Sequence, residues 1–344
     1  MVRQMLILLI ILALVYAFLN GFRDSSSILA GVLASRAMHP RWALYLAALA
    51  EFVAPFLFGT AVARAIATGL VDPEAITLRT VVVAMMAALS WTLIAWRRGI
   101  PSSSSHALIG GLLGAALVTG GAGAIQVGGL VRVVLPVFLV PPLGLVAGFL
   151  IMALFLKLFR YASPKINTGF RRIQVFTMVG LALAHSANDA QKSMGIIALG
   201  LVLAGKLAVF RIPPAVVLIC AAAIALGAAR GDWRLIRTLG GKIYRIRPMN
   251  ALASQTAASG LVLFSALSGA PVSTSQVIAM ALMGSGAAER VNKVRWQVGV
   301  DMLITWGVTI PAAMILAMSY YLFIVGLEMT PQVAALVIRW LVAG

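Results

Sequence analysis

Acidic residues are scarce in this chain, nine Asp and Glu against 27 Lys and Arg in 344 residues, and there are only three histidines and one cysteine. The lone Cys220 excludes an intrachain disulfide and a cysteine metal cluster, and fits a small apolar filler. Charged residues of both signs reach 10%, against about a quarter in soluble domains, whereas 62% are hydrophobic and mean hydropathy is +1.02. With so little polar sequence there is no room for a soluble catalytic domain of the usual ~100 residues. No Walker loop, dinucleotide fingerprint, zinc-type His/Cys spacing or His-Glu-x-x-His helix occurs either. The chain instead holds apolar runs that approach or exceed the ~20 residues of a membrane-crossing helix, including 42–63, 131–156 and 297–325. It reads as an all-α polytopic membrane protein.

A net charge of +18 would suggest nucleic acid in a soluble protein. Here the basic residues gather in short loops between apolar runs, which marks topology, and no nucleic-acid partner is expected. Residues 1–19, with Arg3 as a basic end, resemble a signal peptide, but no small-x-small cleavage site follows. The segment reads as a retained first helix.

Against this apolar background one polar motif is written twice, Asn20-Gly21-Phe22-Arg23-Asp24-Ser25-Ser26-Ser27 and His185-Ser186-Ala187-Asn188-Asp189-Ala190-Gln191-Lys192. A second pair follows at a nearly equal interval, Pro101-Ser102-Ser103-Ser104-Ser105-His106 and Pro271-Val272-Ser273-Thr274-Ser275-Gln276. Polar groups are expensive inside a bilayer, so matching placements in two apolar halves predict a transporter built from repeats, with its site near the midplane.

The charges predict how the halves are oriented. Residues 4–35 form a first segment, broken at 20–24, that reaches a cytoplasmic basic turn at 36–41. Asp72 and Glu74 then fall outside; Arg97 and Arg98 fall inside, as do Lys157, Arg160, Lys165, Arg171 and Arg172. The second half starts inside and runs in the opposite sense. Its loop at 230–247, matching the acidic outer loop, carries Arg234, Arg237, Lys242, Arg245 and Arg247. Arg290, Lys293 and Arg295 fall inside and Glu328 outside, so the inverted arrangement obeys the positive-inside rule. The expected architecture is two inverted-topology repeats with broken helices or re-entrant hairpins, in about 10–12 transmembrane segments. The first repeat covers 1–130, a connecting helix and basic loop 131–172, the second repeat 173–296, and C-terminal helices 297–344.

On these four motifs in fixed order the chain resembles the PiT family of inorganic phosphate transporters, over almost its whole length. That family repeats a Gly-Ala-Asn-Asp type signature in two inverted halves, each followed by a Pro-(Val/Ser)-Ser-(Thr/Ser)-(Thr/Ser)-His segment. The resemblance implies phosphate as substrate, and Asn and Asp side chains with neighbouring carbonyls as cation ligands. It also allows a divalent metal to travel with the phosphate as a neutral complex. This chain departs from the pattern at three positions: Arg23 stands for Asn, Ser27 for a frequent Asn, and Gln276 for the His found at His106. The departures bear on the coupling ion, not on the fold.

Phosphate carries one to two negative charges and several acceptor oxygens, so an intramembrane site must supply donors and counter-charge. Pro breaks the preceding helix and favours the first turn of the next, where free N–H groups point at an anion beside the hydroxyls of Ser102, Ser103, Ser104, Ser105, Ser273, Thr274 and Ser275. The plainer alternative is that these hydroxyls only cap helices. Arg23 and Lys192 are candidate counter-charges to phosphate. Asp24, Asn188, Asp189 and Asn20 are candidates for the coupling ion, with Arg23–Asp24 or Asp189–Lys192 ion pairs as the structural alternative. Arg23 in place of Asn suggests that half one has lost an ion site while half two keeps one at Asn188 and Asp189; equally, Arg23 merely neutralises Asp24. His106 and His185 are candidates to carry a coupled proton, or else hydrogen-bonding braces. Glu51 and Asp301 line the pathway or a helix-packing or dimer surface. Glycines 110, 111, 114, 284 and 286 suit close helix approach.

The expected function is phosphate import by sodium or proton symport with alternating access, in the cell inner (plasma) membrane as a homodimer among lipid, with no organic cofactor. A sulfate permease of the same family is the nearest alternative, since hydroxyls and amides bind both oxyanions. Phosphate alone can donate a hydrogen bond, to Asp24 or Asp189. An intramembrane hydrolase built on Ser105 and His106 is disfavoured, because adjacent helical residues point apart and an enzyme needs one nucleophile, not two serine clusters.

Overall fold

The computed structural model describes residues 1–232 and 247–343, with side chains as far as residue 326. Arg234, Arg237, Lys242 and Arg245, and the side chain of Glu328, lie outside the described residues. The described chain is helical: α1 (Val2–Ala34), α2 (Pro40–Leu57), α3 (Ala61–Gly69), α4 (Leu78–Arg98), α5 (Ser104–Gly120), α6 (Val127–Leu158), α7 (Ile166–Leu203), α8 (Pro214–Arg230), α9 (Pro248–Leu267), α10 (Thr274–Glu289) and α11 (Trp296–Ala343). A single antiparallel bridge, Val71 to Ile125, ties the turn after α3 to the turn before α6.

Length and apolarity alone qualify four described helices to cross a membrane, α1, α4, α6 and α11 as far as Gly326. A fifth span arises if α2 and α3, bent by 70° at 58–60, count together. The chain is a multi-pass membrane protein. The broader expectation of about 10–12 segments would also need α5 and α8, which are apolar but short, α7, whose hydropathy is lowered by its polar motif, and α9 and α10.

The helix breaks do not fall where the polar motifs suggested. The first motif sits inside an unbroken α1 and the second inside an unbroken α7. Ser25 and Ser26 explain part of this, since their hydroxyls donate back to the carbonyls of Phe22 (2.9 Å) and Arg23 (2.7 Å) and so need no outside partner. The breaks lie instead at 99–103 and 268–273, and they share a pattern. Each has a glycine with positive φ, Gly99 (67°) and Gly269 (77°), followed two residues later by Pro101 or Pro271. The glycine turns the chain out of one helix, and the proline prevents it from continuing until α5 starts at Ser104 and α10 at Thr274. Ser103 caps α5 by accepting from the backbone N–H of His106 (3.3 Å).

Both short helices are enclosed. Residues 104–116 of α5 are all buried, as are nearly all of 274–287 in α10. Their neighbours are exchanged: α5 packs on α11, from the second part of the chain, and α10 packs on α6, from the first. Glycines make the approach possible. A Cβ at Gly110 or Gly114 would meet the carbonyl oxygen of Ile310 or Met314, and one at Gly284 that of Leu145. The same reciprocity joins α1 to α8, where a Cβ at Gly21 would fall on the Ile224 carbonyl and one at Gly227 on the Phe18 carbonyl. Replacing Gly227 with Leu should therefore force α1 and α8 apart and destabilise the detergent-solubilised protein by about 1–3 kcal/mol or more, read as a lowered unfolding temperature. Leu226→Ala, on the neighbouring exposed face, should leave that temperature nearly unchanged.

Candidate functional site

The α1 and α7 motifs meet at the centre of the molecule. His185 lies between three carboxylates from three helices: its Nδ1 is 2.9 Å from Glu51 Oε1 on α2, and its Nε2 is 3.4 Å from Asp24 Oδ2 on α1 and 3.7 Å from Asp189 Oδ2, one turn along α7. The His185 and Glu51 side chains are fully buried. Asp24, His185 and Asp189 offer ligand atoms within 4.8 Å of one another, a spacing that could hold a cation. The other oxygen of Asp189 accepts from Lys192 Nζ at 2.6 Å.

The two Pro-Ser breaks meet each other and this cluster. Ser105 Oγ donates to the Val272 carbonyl (2.8 Å), and Lys192 Nζ donates to Ser105 Oγ (2.6 Å) and to the Val272 carbonyl (2.8 Å). Asn188 brackets Pro271, donating to the Ala270 carbonyl (3.0 Å) and accepting from the Val272 N–H (3.2 Å). Its sequence counterpart Arg23 reaches the other break, where Nη2 donates to the Ser102 carbonyl (3.1 Å). Ser102 Oγ accepts from Trp91 Nε1 (2.8 Å) and lies 3.1 Å from Thr309 Oγ1. Tyr16 OH donates to the Ser104 carbonyl (2.9 Å), fixing the first turn of α5 against α1.

A cavity of about 350 Å³ lies between the breaks. Arg23, Asp24, Ser26, Ser27 and Ser102 line it from the first part of the chain, and Ser275, Gln276 and Asp301 from the second. Its walls also include Trp96 and Gly99, which flank the basic pair Arg97 and Arg98. Of the seven hydroxyl residues expected around an anion, the cavity takes Ser102 and Ser275; Ser103 caps α5, Ser105 is held by Lys192 and Val272, and Ser104, Ser273 and Thr274 lie outside the lining.

The family model described as the phosphate transporter family matches residues 20–317. The chain belongs to that family. It is 38% identical over 321 residues to a protein of Bacillus subtilis named a probable low-affinity inorganic phosphate transporter, covering 92% of this chain and 96% of that one. A protein of the same name in Rhizobium meliloti is also 38% identical, with 92% and 96% covered. Among solved structures, a sodium-dependent phosphate transporter superposes with a TM-score of 0.84 over 93% of this chain and 99% of that one, at 22% identity, which shows a shared fold. Membership of a transport family places the chain among carriers, not hydrolases, in agreement with the separation of Ser105, spent on Lys192 and Val272, from any nucleophile role.

Two site residues of this transporter family member escaped the sequence reading. Glu51, expected on the pathway or at a helix-packing or dimer surface, lies where α2 packs on α7 and holds His185 there; the identity of that partner shows only in the folded contact. Gln276, noted as a departure, is buried in the cavity wall with neither amide atom hydrogen-bonded within the protein. Its signal was there, a polar side chain one residue past Ser275 in an apolar helix. Asn20 likewise is buried without a hydrogen-bond partner for its amide. His106 stands apart from the cluster, its ring packed edge-on against Phe138 (centroids 5.1 Å) and its ring nitrogens without hydrogen-bond partners. Replacing Glu51 with Leu should strand the buried Nδ1 of His185 and cost about 1–3 kcal/mol in unfolding experiments. Glu51→Gln, which keeps an acceptor, should lose less.

Proposed function

We propose that this protein is a secondary active transporter that imports inorganic phosphate across the plasma membrane by cation symport, binding it in the cavity between the two Pro-Ser breaks. The observation that carries the proposal is that one cavity draws polar groups from both breaks: the Arg23 guanidinium, held beside Ser102, from one side, Ser275 and the unpartnered Gln276 amide from the other. An oxyanion needs such converging donors and a fixed positive charge. Asp24 and the Gln276 carbonyl oxygen add acceptors, which suit the P–OH of phosphate and offer nothing to sulfate.

The coupling ion is assigned to the cluster beside the cavity. His185 between Asp24 and Asp189 suits a proton, carried in next to the anion whose charge it offsets. The shared fold with a sodium-dependent phosphate transporter supports sodium as the second reading. A divalent metal travelling with phosphate would be served by the same three residues.

Alternating access rests on the two halves acting as inverted repeats, supported by the matching order of elements, the matching Gly-x-Pro breaks and the exchanged packing of α5 and α10. The cavity wall reaches the basic, cytoplasmic residues near Trp96 and Gly99, so this conformation corresponds to the inward-facing state. On the opposite side, the Asn188 and Lys192 contacts to 270–272 form the closed gate.

Reconstituted into proteoliposomes, the protein should accumulate labelled phosphate under an imposed proton gradient alone, and excess sulfate should not compete. Uptake that requires a sodium gradient would select the second reading, and strong inhibition by sulfate would reassign the substrate. Gln276→Leu should raise KM for phosphate about tenfold or more, the cost of one donor to a charged ligand, and Arg23→Gln should raise it further.

A further inference from the structure

We infer that the Lys192 ammonium is a tethered cation standing where a free coupling ion would otherwise pair with Asp189, so that the second motif works without a mobile cation. The inference rests on the proposed symport and specifies which half carries the mobile ion.

Lys192 is among the largest fully buried side chains of the molecule, with 0% exposure. Its three ammonium protons meet three oxygens of three kinds: the carboxylate of Asp189 (2.6 Å), the hydroxyl of Ser105 (2.6 Å) and the carbonyl of Val272 (2.8 Å). A carboxylate, a hydroxyl and a backbone carbonyl converging on one point are the oxygen donors that a small hard cation takes in proteins. The ammonium satisfies them from within the chain. A lysine in an apolar interior is otherwise expensive, and here the Asp189 carboxylate offsets its charge.

The first motif lacks such a device. Ser27 stands at the position of Lys192, and it lines the cavity instead of being enclosed. Arg23, the fixed charge of that motif, donates to the Ser102 carbonyl, while the Asp24 carboxylate faces His185 at 3.4 Å. Asn188, the other cation ligand expected in the second motif, has its amide oxygen and nitrogen engaged by the backbone around Pro271. The sequence leaves two readings of Arg23 equal: half one lost an ion site and half two kept one at Asn188 and Asp189, or Arg23 merely neutralises Asp24. The geometry points to neither, with the exchangeable cation on the Asp24 side and a permanent one at Asp189.

Emptying the site tests this. Labelled-phosphate counterflow, in vesicles preloaded with unlabelled phosphate and with equal sodium, protons and other ions on both sides, needs no driving gradient and so does not depend on which ion's gradient powers uptake. In that assay Lys192→Ala should fall by at least about tenfold, as when a buried carboxylate loses its partner. Ethylammonium or sodium, entering the vacated space, should restore exchange; choline, too large to enter, should not, and the wild type should respond to neither amine. Ethylammonium should raise the unfolding temperature of detergent-solubilised Lys192→Ala and leave that of the wild type unchanged, a binding readout that does not involve phosphate. The inference is overturned if Lys192→Ala exchanges phosphate at the wild-type rate without additive, or if the folded variant is inactive and no small cation restores or stabilises it. A wild-type protein that exchanges no phosphate would instead refute the proposed function, and the unfolding measurement would still decide the role of Lys192.

Discussion

A carboxylate can remain within the bilayer only if its charge is met inside the protein, and most of this architecture follows from that requirement. Asp24, Glu51 and Asp189 come from three helices and converge on one histidine, with Lys192 bound to the far oxygen of Asp189. Bringing them together requires α1, α2 and α7 to approach closely. The buried alanines along these helices and the glycine contacts between α1 and α8 permit that approach. The apolar exterior of α2, α6 and α11 then faces outward, and the polar groups are confined to the interior.

The sequence made several features legible because each is a local departure from an apolar background. The membrane class followed from composition. The pairing of Asn20-to-Ser27 with His185-to-Lys192, and of the two Pro-Ser segments, followed from order and spacing; all four come together around one cavity and one charged cluster. The position of the breaks was only half legible. Proline marks the true ones, whereas the break expected at 20–24 is absent, because serines there bond to their own helix and leave it intact. Partner choice could not be read at all. Nothing local to Glu51 indicates His185, and nothing local to Lys192 indicates Ser105 and Val272, since those contacts are decided by which helices pack together.

The hydroxyl-rich segments divide between the cavity and the helix breaks. Seven hydroxyls were candidates for one anion, and two of them line the cavity. Of the others, Ser103 caps α5 and Ser105 clasps the opposite break.

The exchange of α5 and α10 between the two parts of the chain has a consequence for how the protein comes to be assembled. Each short helix carries glycines that fit the long helix contributed by the other part, so a fragment ending after α6 would expose the surface of α5 made for α11. Neither part fully covers its own short helix without the other. During synthesis the first must wait in the membrane, incompletely covered, until the last long helix emerges and closes it.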